Sequence, residues 1–178
     1  MRFNEPSSLL RRYFAGLAEH TFGVQLGVAD PSLVDYLTGL LTKFIRNDAI
    51  YRIRDLSGRV VDDVAHMFLE AENRVGNARR EVHRHIGDFT LFWAGVYPEA
   101  LERRSQSRES RAESFTMLGK RSYFIASTIE SDAEEDAPSD LLERLSQRFE
   151  LCAYGLREVR RQWEERDDGI PPQTFLIN

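Results

Sequence analysis

Four side chains in the middle of the sequence have the types and spacings that suit a metal or small-ligand site. His66 and Glu70 are four residues apart, so on one helix both point the same way and offer two ligands to a divalent metal. His85 and Asp88 are three residues apart, and a buried imidazole beside a carboxylate is also the arrangement of a general base. These four residues predict a polar site between helices.

The motifs that would define this site further are absent from the sequence. Glu-x-x-His, which a carboxylate-bridged di-iron bundle repeats, does not occur, and neither does H-E-x-x-H. The phosphate-binding loop, the nucleophile elbow and the dinucleotide fingerprint are missing too. No cofactor is therefore predicted. A divalent metal stays one alternative, and a non-enzymatic role is favoured over an enzyme.

Arginine defines a second candidate site, for anions. Arg79, Arg80 and Arg84 lie close together on a predicted helix, where they would hold an anionic ligand by bidentate contacts. Acidic residues at helical spacing, such as Glu81, offer partners within the chain. The alternative is thus a salt-bridged face in contact with water.

A third feature bears on DNA binding. Residues 24–37, in which a Leu-Gly-Val turn precedes a predicted helix, resemble the middle of a helix-turn-helix. The resemblance implies a DNA-binding regulator. The would-be recognition helix, however, begins at Asp30, contains Asp35 and has no Arg or Lys before Lys43. Because carboxylates repel phosphates, we do not expect this protein to bind nucleic acid.

Composition limits the class of protein. With 178 residues, of which 42% are hydrophobic, the chain is large enough for one compact domain and too apolar for a disordered one. The single Cys152 excludes an internal disulfide, which fits a reducing compartment. No signal-peptide pattern opens the sequence, and its longest apolar run, 89–97, is far shorter than the roughly 20 residues of a spanning helix. We predict a cytoplasmic protein that is not associated with membranes.

Apolar residues recur at helical spacing almost throughout, which predicts an all-α, single-domain bundle of five to seven helices, mostly antiparallel, over residues 1–168. The first helix is expected at about 7–22. A second runs from Pro31 to about Arg46, capped by the preceding aspartate. Residues 59–97 keep a spacing of three and four that fits either one long helix or two helices broken at Gly76.

Two later helices complete the predicted bundle. One is expected around 115–129, and the last is expected to run unbroken from about Leu142 to Trp163. Cys152 lies on the apolar side of that last helix, so it is interpreted as a small core residue. The predicted core contains the following side chains: Phe89, Phe92, Trp93, Phe115, Ile125, Phe149, Leu156 and Trp163.

Charge is unevenly distributed along the chain. Residues 73–129 hold 10 basic and 6 acidic side chains, whereas residues 130–168 hold 6 and 13. The acidic residues are densest at about 130–140, which is interpreted as a linker before the last helix. The two segments are expected to face each other and neutralise their charges within one bundle.

The last ten residues, 169–178, form a predicted extended tail, since two prolines exclude a helix. The tail carries Phe175, Leu176 and Ile177, which need cover from water, either on the chain's own bundle or on a partner. Together with the long apolar seams, this tail predicts self-association, most simply a homodimer. The leading functional hypothesis is a protein-interaction module whose partner the sequence does not identify.

Overall fold

The computed structural model describes residues 5–46, 64–103, 108–133 and 136–166, and within them it contains eight α-helices and no strand. The prediction of an all-α, single-domain fold is confirmed, whereas the helix count exceeds the predicted five to seven. The helices are α1 Glu5–Ala18, α2 Pro31–Ile45, α3 Val64–Glu72, α4 Gly76–Val96, α5 Pro98–Arg103, α6 Arg108–Ser127, α7 Ser139–Gln147 and α8 Phe149–Arg166.

Three chain breaks explain the larger count. Gly76 has a φ of 55°, a left-handed conformation that separates α3 from α4, so this region contains two helices. Tyr97 ends α4 as expected for a residue before proline, but Pro98 then begins the short α5. The expected single last helix is wrong, because the chain leaves helical geometry at Arg148 and divides it into α7 and α8.

The connection from α1 to α2 depends on local hydrogen bonds. A π-helical segment, Glu19–Gln25, extends α1, and Gly27 follows it with a φ of 65°. The side chain of Asp30 then accepts a hydrogen bond of 3.2 Å from the amide of Leu33, and Pro31 occupies the first turn. The predicted start of α2 is thus confirmed.

The helices pack closely where glycine allows it. A Cβ atom at Gly119 on α6 would lie 2.3 Å from the hydroxyl of Thr90 on α4. One at Gly155 on α8 would lie 2.2 Å from the ring of Phe22. Further along, Gly87 on α4 meets the ring of Tyr123 on α6, so the contacts between these two helices run in opposite chain directions. The two helices are therefore antiparallel.

The predicted core is buried in large part. Phe89, Phe92, Phe149, Leu156 and Trp163 are buried, while Trp93, Phe115 and Ile125 are only partly covered. Cys152 is buried on α8, and burial raises the pKa of its thiol to about 12. The cysteine is thus a core residue whose thiol stays protonated and unreactive near neutral pH.

In the described part of the chain, Arg80 on α4 contacts the segment that leads to α7. Arg80 is buried and donates hydrogen bonds to the carbonyl oxygens of Ile129, at 2.9 Å, and Ala137, at 2.6 Å. Its Nη1 also lies 3.8 Å from a carboxylate oxygen of Asp136. We call this arrangement the Arg80 clasp.

Some sequence predictions fall outside the part of the chain that the structure describes. These include the tail at 169–178 with Phe175, Leu176 and Ile177. Among the described helices, none is both long and apolar enough to cross a membrane.

Candidate functional site

A half-buried carboxyl group lies where α2, α4 and α6 meet. Asp88 on α4 accepts two hydrogen bonds on the same oxygen, Oδ1. The hydroxyl of Tyr36 on α2 donates one at 2.6 Å, and the hydroxyl of Tyr123 on α6 donates the other at 2.7 Å. We call these three residues the Asp88 cluster. One carboxyl group thereby joins three helices.

Local packing explains how Tyr123 reaches Asp88. The residue before the aspartate is Gly87, and a Cβ atom at that position would lie 2.6 Å from the ring of Tyr123. Real side chains essentially never approach so closely, so only glycine leaves room for the ring against α4. Because residue 87 is glycine, the ring of Tyr123 packs against α4. The hydroxyl of Tyr123 then reaches Asp88, the residue that follows Gly87.

The three members of the cluster change each other's acidity. Burial raises the pKa of Asp88, although Arg84, the two phenol hydrogen bonds and Lys43 oppose this shift. Burial also raises the pKa of Tyr36 and of Tyr123 well above the ordinary value, and the nearby carboxylate adds to it. The phenols therefore stay protonated, as hydrogen-bond donors require, and Asp88 takes up a proton more readily than an exposed aspartate.

The cluster opens onto a cleft of about 380 Å³, which we call the Asp88 cleft. One face of α2 lines it with Tyr36, Gly39 and Lys43, and α4 contributes Arg84 one turn before Asp88. The N-terminal helix and the segment before α7 complete the wall. Because Gly39 has no side chain, the cleft is open beside the helix that carries Tyr36.

Charged groups of both signs surround the cleft. At its edge Arg11 binds Asp35 with an Nη2 to Oδ1 distance of 2.7 Å, and both side chains are exposed. Asp136 accepts a hydrogen bond from the hydroxyl of Ser131 and also faces the Arg80 clasp. Arg84 donates to Glu81, one turn earlier on α4, at 3.0 Å. Burial alone would lower the pKa of Arg84, but the acidic groups around it raise that pKa and keep it charged.

The structure does not assemble the four residues of the predicted metal or ligand site. Asp88 lies in the cleft, but His85 is buried with its ring 6.1 Å from that of Phe44. Glu70 on α3 is bound by the guanidinium of Arg74 at 3.0 Å, and the nearby His66 is exposed. Among the side chains that the structure describes, no three His, Cys, Asp or Glu residues form a group able to hold a metal.

The three arginines predicted to bind an anion are also separated. Arg84 lines the Asp88 cleft. Arg79 instead binds Glu72 at the end of α3, with an N–O distance of 3.1 Å, and Arg80 forms the clasp on the linker. One of the three thus remains beside a cleft that can admit a ligand.

The segment that resembles a helix-turn-helix forms the turn between α1 and α2. At the start of α2, Arg144 on α7 donates to the carboxylate of Asp30 and to the hydroxyl of Ser32, both at 2.9 Å. The first turn of the would-be recognition helix therefore contacts another helix of the same chain.

Sequence reasoning missed most of the groups around Asp88. Tyr36 and Tyr123 lie 52 and 35 residues from the aspartate along the chain, so no local spacing connects them. Tyr36 lies on the polar side of a predicted helix, and this was the one sequence pattern that indicated a polar contact there. Gly39 carried no signal beyond being a glycine in a helix.

A second buried group on α4 has a different environment. His83 has 0% exposure, and its ring meets that of Phe68 on α3 edge-on, with centroids 5.4 Å apart. Within the described part of the chain, neither ring nitrogen has a hydrogen-bond partner. Burial, together with the nearby charge of Arg79, lowers the pKa of His83 to about 4. The imidazole is therefore neutral at neutral pH.

Comparison with known protein families, with curated proteins and with solved structures finds no match to this chain. The fold and the site together define an all-α protein with a polar cleft between its helices. In that cleft Asp88 can accept or release a proton, while Arg84 and Lys43 can hold negative charge.

Proposed function

We propose that this protein binds a small polar ligand in the Asp88 cleft. The observation that supports the proposal is the position of the half-buried, doubly hydrogen-bonded Asp88 in the wall of an open cleft. Ligand pockets usually enclose about 300–1,000 Å³ and carry a few convergent polar groups. The cleft has a volume of about 380 Å³ and is lined by three aspartates, three basic side chains and the phenol of Tyr36, so it meets both criteria.

A purely structural role for the Asp88 cluster is the main alternative. Such a tie between helices needs the hydrogen bonds but does not need an open space beside them. Gly39 supports ligand binding over a purely structural role. It lines the cleft, and a Cβ atom there would meet only the movable end of Arg11, at 3.3 Å. Glycine inside a helix is less favourable than alanine by about 1 kcal/mol. Packing tolerates a larger side chain at this position, and glycine leaves the cleft open there.

The test compares two glycine substitutions in helices. Gly39→Leu places a side chain into the cleft, while Gly16→Leu places the same side chain on an exposed part of α1 where nothing lies within 4 Å. Both variants should fold, since leucine favours helix over glycine. Binding is measured by ligand-detected NMR with a library of small polar compounds, and native mass spectrometry detects any ligand that remains bound during purification.

We expect compounds that bind the wild type and Gly16→Leu but not Gly39→Leu. Circular dichroism and thermal unfolding check that all three proteins are folded. If no compound distinguishes Gly39→Leu from the wild type, the cleft does not bind ligands and the proposal is wrong.

A second candidate function, protein interaction through self-association, is favoured by the surface of α6 and α8. Met117 and Phe124 on α6 are 70% and 53% exposed, and Leu151 and Tyr154 on α8 are exposed as well. The two helices are adjacent, because Lys120 on α6 binds Glu150 on α8 at 2.7 Å. Exposed apolar side chains on neighbouring helices are typical of interaction surfaces. We call these four side chains the α6–α8 face.

Sedimentation equilibrium tests the homodimer proposal. The double variant Met117→Glu with Phe124→Glu should be monomeric at concentrations where the wild type is a dimer, because charge is costly to bury in an apolar interface. Val75→Glu is the matched control, since Val75 is also exposed and apolar but lies on the connection before α4. A wild type that is monomeric throughout would contradict self-association.

The remaining sequence hypotheses stay proposals with weaker support. A cytoplasmic location is supported by the lone, buried Cys152. A divalent metal at His66 and Glu70 would have to displace the ion pair between Glu70 and Arg74. DNA binding through residues 24–37 would need the first turn of α2 to leave its contacts with Arg144.

A further inference from the structure

The carboxylates around the Asp88 cleft already have partners within the protein. Asp35 is bound by Arg11, and Asp88 accepts from two phenols. Asp136 accepts from Ser131 and faces the Arg80 clasp. A cationic ligand would therefore compete with existing donors at each of these acidic groups.

The cations around the cleft have more capacity left. Arg84 donates a hydrogen bond from Nη2 to Glu81. Because a guanidinium has five N–H donors, donors remain for a ligand. Lys43 on the neighbouring helix is exposed, lines the same cleft and carries three N–H donors. Three cations thus line one space, and Arg11 is paired there with Asp35, which leaves Arg84 and Lys43 for a ligand.

From this imbalance we infer that the ligand of the Asp88 cleft is a small organic anion whose carboxylate or phosphate group is held by Arg84 and Lys43. The inference rests on the proposed binding function and adds the chemical class of the ligand. Arginine binds both oxyanions by paired hydrogen bonds, and lysine adds a point charge.

The bound anion also affects Asp88. An ionised Asp88 would repel a second negative charge, so the anion favours the protonated carboxyl group, and burial already favours that form. Anion binding therefore favours proton uptake by Asp88, and loss of that proton weakens binding. The titratable and charged groups that face Asp88 come from each surrounding element: Tyr36 and Lys43 on α2, Tyr123 on α6, Arg84 on α4 and, across the cleft, Arg11 and Asp136.

Isothermal titration calorimetry with three probes tests the inference. Inorganic phosphate and succinate represent the two kinds of anion, and ethanolamine represents a small cation of similar size. We expect phosphate, succinate or both to bind the wild type with a Kd of about 10 mM or lower, and ethanolamine not to bind. Stronger binding of one of the two anions identifies whether the acidic group of the ligand is a phosphate or a carboxylate.

Variants assign the binding to the cleft. Lys43→Met, at an exposed position, should fold and should weaken anion binding by about tenfold, as should Arg84→Met. Lys120→Met is the matched control, because Lys120 lies on α6 and pairs with Glu150 instead. Binding that is equally weakened in Lys120→Met would show general attraction to charge and would overturn the inference.

The outcomes separate this inference from the proposed function. Binding of ethanolamine alone, lost in Gly39→Leu, would overturn the anion class while leaving a ligand in the cleft. Failure of both anions to bind at 10 mM would also overturn the class, and library compounds that Gly39→Leu excludes would still support the proposed function. Anion binding that persists in Gly39→Leu would place the anion elsewhere and would contradict the inference.

Discussion

Asp88 and His83 are two titratable groups on the same helix, five residues apart, of which Asp88 is half-buried and His83 is buried, and they have opposite surroundings. Asp88 accepts hydrogen bonds from two phenols and borders an open cleft. His83 is enclosed against Phe68 without a hydrogen-bond partner among the described residues. Burial alone therefore does not identify a functional group. A candidate site has hydrogen-bond partners and access to solvent. A titratable group that lacks both only makes the free energy of unfolding depend on pH.

Helix geometry explains how neighbours on one helix come to differ so much. Five residues turn an α-helix by about 140° beyond a full circle, so the two side chains point to different neighbours. His83 faces α3, and Asp88 faces α2 and α6. Which buried group receives donors is thus decided by the partner helix and not by the sequence around it.

The largest expected effect is that of Asp88→Ala. The substitution removes the acceptor of two half-buried phenol hydrogen bonds, so the free energy of unfolding should fall by roughly 2–3 kcal/mol. Asp88→Asn keeps an acceptor oxygen and should lose only about 1 kcal/mol. Urea unfolding measures both, with the exposed Asp35→Ala as the control. A loss for Asp88→Ala no greater than that of the control would remove the contrast with His83.

The second prediction concerns His83 and acid. The unfolded state binds a proton near the ordinary pKa of 6.5, whereas the folded state binds it only at about 4. The contribution of neutral His83 to the free energy of unfolding is therefore fully present above pH 6.5. It falls by up to about 3 kcal/mol as pH drops to 4. His83→Leu should abolish this loss, whereas substitution of the exposed His20 should not.

Urea unfolding at several pH values measures the effect. The measurements stay at or above pH 4.5, because at lower pH Asp30 and Glu150, whose partners lower their pKa values, begin to lose their own stabilising charge. If the wild type and His83→Leu lose stability in parallel between pH 6.5 and pH 4.5, His83 is not the group responsible.

The third prediction tests the link between packing and hydrogen bonding in the Asp88 cluster. Gly87→Ala adds a Cβ atom that would lie 2.6 Å from the ring of Tyr123, so the ring must move and its bond to Asp88 must loosen. We expect a loss of about 2 kcal/mol in the free energy of unfolding. Gly16→Ala, on an exposed part of α1, should instead gain up to about 1 kcal/mol. Equal effects of the two substitutions would contradict the close packing.

The smallest expected effect is that of a partly exposed carboxylate with several partners. Burial would raise the pKa of Asp30, but hydrogen bonds from the amide of Leu33, from Ser32 and from Arg144 lower it. Asp30→Ala should cost about 1–2 kcal/mol at neutral pH, and the difference from the wild type should shrink as pH falls below 3.8. Asp140→Ala removes only the exposed partner of Arg144 and should cost less. Thermal unfolding compares the two.

Local chemistry made part of this fold predictable. The start of α2 was predictable because Asp30 and Pro31 act within one turn of the chain. The break at Gly76 was visible only as an alternative, since the apolar spacing continues across it. The break at Arg148 was missed for the same reason, because residues on both sides keep a spacing of three and four.

The candidate site was predictable in one residue and not in its neighbours. Asp88 was recognised as a polar group near an apolar seam, but sequence spacing assigned it His85 as a partner. Its partners in the structure are Tyr36 and Tyr123, from helices that sequence spacing does not connect to α4. Such contacts arise from tertiary packing, which local patterns do not encode.

The Arg80 clasp joins two segments of the chain independently of the backbone between them. One guanidinium group binds the carbonyl oxygen of Ile129 on one side of the acidic linker and that of Ala137 on the other. These bonds hold α6 and α7 near α4 whether or not the backbone between the two carbonyls is intact. A chain cleaved once between Glu130 and Asp136 should therefore stay together as two fragments, so the linker is a natural place to insert a foreign segment or to create new chain ends.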